Sequence, residues 1–408
     1  MRRVAVAALA LGALAGCDVY GPALLVDAGA GDAVVEADVD ACASTCDGKC
    51  VDLTSDPSHC GSCDNVCEVG CSGGLCEPTV LAMGLSAPHG VLVDGSSLYV
   101  ANHGSITVQV MSKIDGTGLK LFATSQLFPD RLATDGTSLF WTDDANVPTD
   151  PGGSIEFGAF SLAECAPGYT YCYDARNLPS PYGIAVQGGT IFVTTVDATN
   201  DGPTGCAGAY TSSVLSCPVS GGCVVSACSG PGAPTVLASG QTALAGIAAD
   251  ATNVYWADSG AHVVRFCPQP ACTGGPEVFA QIAGAPFDVV SDGTHVYFTD
   301  RDGGNLYACP ISGCSGTPTP LASGLAQPTL VAVDAKAAYV TLYANGTAGA
   351  GSIVSCALPS CTGGPVTVAA KLNAPYGVAL DSTYVYWAEE GTSGISSIDG
   401  SVSKLRRP

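Results

Sequence analysis

Two histidines stand close together near the start of the long C-terminal part of this chain, His89 in Pro88-His89-Gly90 and His103 in Asn102-His103-Gly104. Imidazole and carboxylate together do two kinds of chemistry, divalent metal ligation and proton transfer. His89, His103, Asp130 and Glu389 form one candidate metal set. A second set is mostly aromatic. Tyr182, Phe287 and Tyr376 each follow a proline, as His89 and Asp130 do. Aromatic faces with a few polar groups among them suit a sugar or peptide ligand. His89, Asp130, Tyr182, Phe287 and Tyr376 therefore form the candidate binding set. The chain has no H-E-x-x-H and no phosphate loop, which gives no support to zinc-protease or nucleotide chemistry. No cofactor is expected on the binding reading, and a divalent metal only on the alternative.

These residues share one place in a repeated stretch, which starts at Pro88, Pro129, Pro181, Leu244, Pro286, Pro328 and Pro375, at spacings of 41, 52, 63, 42, 42 and 47 residues. Six residues on stand Asp94, Asp135, Gln187, Asp250, Asp292, Asp334 and Asp381, and eleven on stand seven aromatics from Tyr99 to Tyr386. All three tryptophans, Trp141, Trp256 and Trp387, fall twelve on. Glycine and proline punctuate short apolar runs throughout, which reads as strands and tight turns. A period just above forty with four short strands per unit predicts a β-propeller. The fold expected is all-β, a seven-bladed propeller over residues 77–408, with six blades as the alternative. A blade packs on both faces, so its second strand is apolar on both sides, and these aromatics are core. The last copy lacks an outer strand, while a matching "PTVLAMGL" stands before the first, at 78–85. That N-terminal strand is expected to close the ring.

The runs "LFWTD", "VYWAD" and "VYFTD" resemble the YWTD repeats of lipoprotein-receptor propellers, and "PYGIAV" and "PYGVAL" resemble the related NHL repeats. The resemblance covers residues 77–408. YWTD propellers have six blades, and the seven copies here depart from that.

The N-terminus reads as an address. Arg2 and Arg3 precede an apolar stretch at 4–14, a secretory signal too short to span a bilayer. It ends in Leu14-Ala15-Gly16-Cys17, which resembles the lipobox of bacterial lipoproteins. The resemblance implies cleavage of signal peptide 1–16, a lipid anchor on Cys17, and membrane attachment through it. Residues 17–41 follow as a flexible acidic tether. The expected location is the bacterial cell envelope, outside the cytoplasm, at the outer membrane or cell surface rather than the inner membrane.

The chain has 21 cysteines, and an exported chain oxidises them. Eight fall within residues 42–76, where "GKCVDLTSDPSHCGSCDNVC" resembles the stigma-specific cysteine-rich family. That implies a small disulfide module with pairing left open, since eight cysteines allow 105 connectivities. Zinc, suggested by Cys60-Gly-Ser-Cys63, lacks a second C-x2-C at ribbon spacing. Twelve more cysteines lie in the repeats. Short spacing pairs Cys267–Cys272, Cys309–Cys314, Cys356–Cys361, Cys217–Cys223 and Cys165–Cys172, each closing a hairpin, and leaves Cys206–Cys228.

The formal net charge of −22 argues against nucleic acid as a partner, because phosphate binding needs clustered lysine and arginine. The function expected is an envelope lipoprotein whose propeller is a binding platform for a protein or glycan ligand, and so not an enzyme. One alternative is a metal-dependent propeller enzyme of lyase or lactonase type. Another is a purely structural envelope role.

Overall fold

The structure, a computed structural model, describes residues 44–124, 126, 128–143, 153–159, 172–178, 180–196, 212–219, 233–314, 317–392 and 398–407. The signal peptide, Cys17 and the tether lie outside these residues. So does at least one cysteine in each of the pairs Cys165–Cys172, Cys206–Cys228 and Cys217–Cys223.

Residues 44–408 form one compact unit, an all-β propeller preceded by a disulfide-rich segment. Seven four-stranded antiparallel sheets follow one another. Their inner strands are Pro88–Asp94, Pro129–Thr134, Pro181–Gln187, Leu244–Ala249, Pro286–Ser291, Pro328–Val333 and Pro375–Leu380. Six sheets take their strands in chain order. The seventh takes Pro375–Leu380, Tyr384–Glu389 and Gly400–Arg406, then Thr79–Leu85 from the other end of the chain. Ser403 pairs with Val80 and Lys404 with Thr79. This pairing satisfies the outer backbone groups of the last strand, which would otherwise be an exposed edge.

Five sheets begin with the same local logic. The Asp of the repeat ends the inner strand and turns the chain. Oδ1 of Asp292 accepts the N–H of Thr294 and of His295, both at 2.7 Å, and Asp135, Asp250, Asp334 and Asp381 make the same turn. The second oxygen of Asp250, Asp292 and Asp381 accepts the phenol of Tyr255, Tyr297 and Tyr386. One carboxylate thus fixes both the turn and the strand that leaves it. Trp141, Trp256 and Trp387 are fully buried between sheets.

A buried threonine in the second strand joins neighbouring sheets. Thr194 Oγ1 accepts the N–H of Gly183 in its own inner strand at 2.8 Å and donates to the carbonyl of Ala245 in the next at 2.7 Å. Thr142, Thr299 and Thr341 do the same toward Tyr182, Thr329 and Tyr376. Inner strands meet backbone to backbone near the axis. A Cβ on Gly377 would stand 2.1 Å from the carbonyl of His89, and one on Gly90 would stand 2.3 Å from that of Asp130. Only glycine fits there.

In the segment before the ring, disulfides join Cys46–Cys63, Cys60–Cys71 and Cys67–Cys76. Two short hairpins, Thr45–Cys46 with Lys49–Cys50 and Cys71–Ser72 with Leu75–Cys76, are its regular structure. Glu68 accepts the phenol of Tyr384 at 2.7 Å and ties the segment to the closing sheet. In the ring, Cys267–Cys272, Cys309–Cys314 and Cys356–Cys361 each bridge the turn after a third strand.

Candidate functional site at the mouth of the channel

The second residue of each inner strand lies where the strand enters the ring. His89, Asp130, Tyr182, Phe287 and Tyr376 come together there with Ala245 and Thr329. Two of these seven serve the frame, since Thr329 hydroxyl meets Thr341 hydroxyl at 2.7 Å and Ala245 carbonyl takes the threonine link described above. A register shift after the first residue of every inner strand turns the next residues toward the axis.

His89 is 8 % exposed and sits between two carboxylates. Nδ1 lies 3.3 Å from Asp130 and Nε2 lies 3.1 Å from Glu390. Its faces are covered by His103, at 4.4 Å between ring centroids, and by Tyr376, at 4.5 Å. Burial opposes its charge, but contact with the two carboxylates outweighs burial and lifts its pKa to about 9. His89 is therefore an imidazolium at neutral pH. His103 goes the other way. Burial and repulsion from His89 lower it to about 4, so it is neutral. For Asp130, burial is overcome by His89 and Arg131, and its pKa falls to about 2.

Arg131 continues the line. Its Nη2 donates to Tyr182 hydroxyl at 2.8 Å, and that hydroxyl meets Tyr376 hydroxyl at 2.8 Å. Nη1 lies 3.8 Å from Asp288, whose other oxygen accepts the N–H of Val331 at 3.0 Å. Burial raises the pKa of Asp288 against the pull of Arg131. Glu390, His89, Asp130, Arg131 and Asp288 thus alternate in sign across the mouth. Buried ions this close are tolerable only when each is paired. Arg131 and Asp288 are the third residues of their strands, where Gly90, Gly183, Gly246 and Gly377 stand in four others. The space left by the glycines at the axis is filled by this ion pair.

Beside the line lies an open depression of about 520 Å³, walled by Tyr182, Phe287, Tyr376, Leu244, Val196 and small residues, with Arg301 and Asp302 at one side. Arg301 leaves the second strand of the fifth sheet and sits over Phe287 at 4.8 Å and over Tyr343 at 5.7 Å. Tyr343 donates to Glu390 at 3.0 Å.

The candidate metal set does not converge. Glu389 serves the frame: it accepts the backbone N–H of Asn373 at 2.8 Å and the indole N–H of Trp387 at 3.2 Å. The residue beside it, Glu390, faces His89 instead, because the strand ends there and the chain turns. The two nitrogens of His89 point to carboxylates on opposite edges of its ring, so no ion could reach both pairs. Among the described residues, Cys60, Cys67 and Cys71 are the group that brings three ligand atoms together. Their sulfurs belong to disulfides.

Sequence reasoning missed Arg131, Asp288, Arg301, Tyr343 and Glu390. For two of them a signal was present: Arg131 and Asp288 stand where glycine recurs. For Arg301, Tyr343 and Glu390 there was one too: each stands fifteen residues on from the start of its repeat, as His103 does, and its N–H donates to the carbonyl just before the inner strand.

No family model matches the chain, and no curated protein matches it. Solved structures do. Selenomethionine-substituted virginiamycin B lyase from Staphylococcus aureus is similar over 81 % of this chain and 98 % of its own, at 13 % identity and a TM-score of 0.56. A streptogramin B lyase is similar over 81 % and 97 %, at 12 % identity and 0.54. A catalytically inactive variant of the Staphylococcus aureus virginiamycin B lyase with quinupristin matches over 81 % and 99 %, at 14 % identity and 0.54. At these identities the likeness is one of fold, the propeller.

Proposed function

We propose that this chain is a lipid-anchored, extracytoplasmic propeller of seven blades that binds a protein or glycan ligand at the mouth of its channel. The seven four-stranded sheets support the blade number. Signal-like residues 1–16 and the lipobox-like ending at Cys17 support anchorage. One observation carries the binding reading. The aromatic walls of the 520 Å³ depression are braced from behind: Tyr182 hydroxyl meets both Arg131 and Tyr376 hydroxyl at 2.8 Å. Such a surface is organised before a ligand arrives, which lowers the cost of binding.

A metal-dependent lyase or lactonase has less support. His89 has a carboxylate at each nitrogen, Asp130 at 3.3 Å and Glu390 at 3.1 Å, an arrangement that favours its protonated form over a base or a ligand. The test uses the full chain on glycan and peptide arrays, with Tyr182→Ala and Tyr376→Ala. Saturable binding lost in both variants, with an unchanged far-UV spectrum, is the expected result. Turnover of a lactone or streptogramin probe with no binding on either array would replace this reading with the enzyme. Lipid anchorage is checked by mass spectrometry of the membrane fraction, which should find acylation at Cys17 and lose it in Cys17→Ala.

A further inference from the structure

Four lysine and arginine side chains of this acidic chain are ion-paired among the described residues. Arg131, Arg265 and Arg407 each face a carboxylate, and Lys113 meets Asp381 at 2.8 Å. Arg301 is different. It is half-buried, and among the described residues no carboxylate lies within ion-pair distance of it. Its guanidinium lies instead beside two aromatic rings, 4.8 Å from the centre of Phe287 and 5.7 Å from that of Tyr343. A guanidinium beside aromatic rings keeps its N–H edge for a carboxylate, which it matches two bonds at a time. The aromatic neighbours also remove much of the side-chain freedom that binding would otherwise cost.

The wall next to it is apolar and short of free polar groups. The hydroxyls of Tyr182 and Tyr376 are used by each other and by Arg131. Ser259 hydroxyl donates to the carbonyl of Pro286. A sugar covered in hydroxyls would lose more hydrogen bonds to water than these walls return. A flat or branched apolar group loses nothing there and gains from burial.

Building on the binding reading above, we infer that the depression takes an apolar carboxylate, its carboxyl group on Arg301 and its apolar body against Tyr182, Phe287 and Tyr376. Such a group comes from two sources, the C-terminus of a peptide ending in an apolar residue, or a free aryl or alkyl carboxylic acid. Asp302 lines the same depression and works against an anion, so it tunes affinity downward.

The experiment screens the full chain against a peptide array with free C-termini, the same array amidated, a glycan array, and 3-phenylpropanoic acid beside its amide. Free-carboxyl probes are expected to bind and their amides to bind at least about tenfold more weakly, the scale of a lost charge-assisted hydrogen bond. Arg301→Gln should erase the preference for acid over amide without changing the melting curve, and Asp302→Asn should raise acid affinity. Binding of free peptides alone, or of the small acid as well, tells the two sources apart, and either supports the inference. Equal binding of acid and amide, or binding on the glycan array alone, overturns it while the binding reading stands. Silence of every probe removes both.

Discussion

Thr341→Val is the sharpest test of how the ring holds its mouth in shape. The substitution keeps the shape of the side chain and removes one oxygen. In the structure that oxygen accepts the N–H of Leu330 at 3.0 Å and donates to the carbonyl of Tyr376 at 2.9 Å, with no exposure to solvent. It also meets Thr329 hydroxyl at 2.7 Å. A neutral hydrogen bond contributes about 1 kcal/mol net, and a buried group left without a partner costs about 1–3 kcal/mol. Two backbone groups are orphaned here, one in each of two adjacent sheets, so the loss should be about 2–4 kcal/mol. Thr341→Ser keeps the hydroxyl and deletes a methyl, for about 1 kcal/mol. Urea unfolding followed by tryptophan fluorescence reads both, because Trp387 lies in the neighbouring core cluster. The valine variant should also weaken ligand binding, since the carbonyl it releases belongs to Tyr376. Equal stability of Thr341→Val and Thr341→Ser would refute the idea that these threonines couple the sheets.

Four further outcomes are expected. The His89 contacts stabilise the charged form, so their contribution is complete below the usual histidine pKa of 6.5 and is lost as pH rises through about 9. That is a loss of about 3 kcal/mol between those limits, absent in His89→Gln and measured as unfolding free energy at several pH values. His103 has the opposite sign: its pKa falls to about 4, so it removes stability as pH drops below 6.5, and His103→Gln should flatten that acid limb. Deleting Thr79–Leu85 leaves the outer edge of Gly400–Arg406 bare and should abolish cooperative melting, which calorimetry would show. Replacing Cys309 and Cys314 by serine opens a five-residue separation and should cost about 2 kcal/mol in the chain-entropy account.

The frame was legible because its causes are local and repeated. An Asp at the turn, in six copies, and an aromatic five residues later, in all seven, are short-range devices, and a tryptophan beside that aromatic repeats in three. The closing strand was legible by subtraction, since one unit lacked what another had to spare. The site was legible only in part. Tyr182, Phe287, Tyr376, His89 and Asp130 could be placed together because they hold one place in the repeat. Glu389 was chosen over Glu390 because strand alternation does not say where a strand ends, and one residue beyond the end reverses which side chain faces the channel. Arg301 holds one place too, fifteen residues into its repeat with His103, Tyr343 and Glu390, but the residue type there differs in every copy, so its type does not mark it.

A ring of near-identical sheets puts the same demand on the same position in every copy. Where a residue only builds the ring, its type recurs, as the turn Asp does at six of seven positions. The third residue of the inner strand is under the tightest demand of all, because neighbouring backbones approach it at the axis, and four copies answer with glycine. Arg131, Asp288 and Leu330 break that pattern. Arg131 and Asp288 face each other across the axis and hold Tyr182 in place through the arginine. A buried ion pair contributes little net stability, so stability alone gives no reason to put charges where glycine already fits. What the pair does accomplish is to fix the aromatic wall of the depression. On this argument the departures from the repeat at the axis, rather than the repeat itself, mark where the molecule is specialised. Arg131→Gly with Asp288→Gly should then leave a folded ring with a collapsed mouth: a melting curve close to that of the parent, and binding lost on every array.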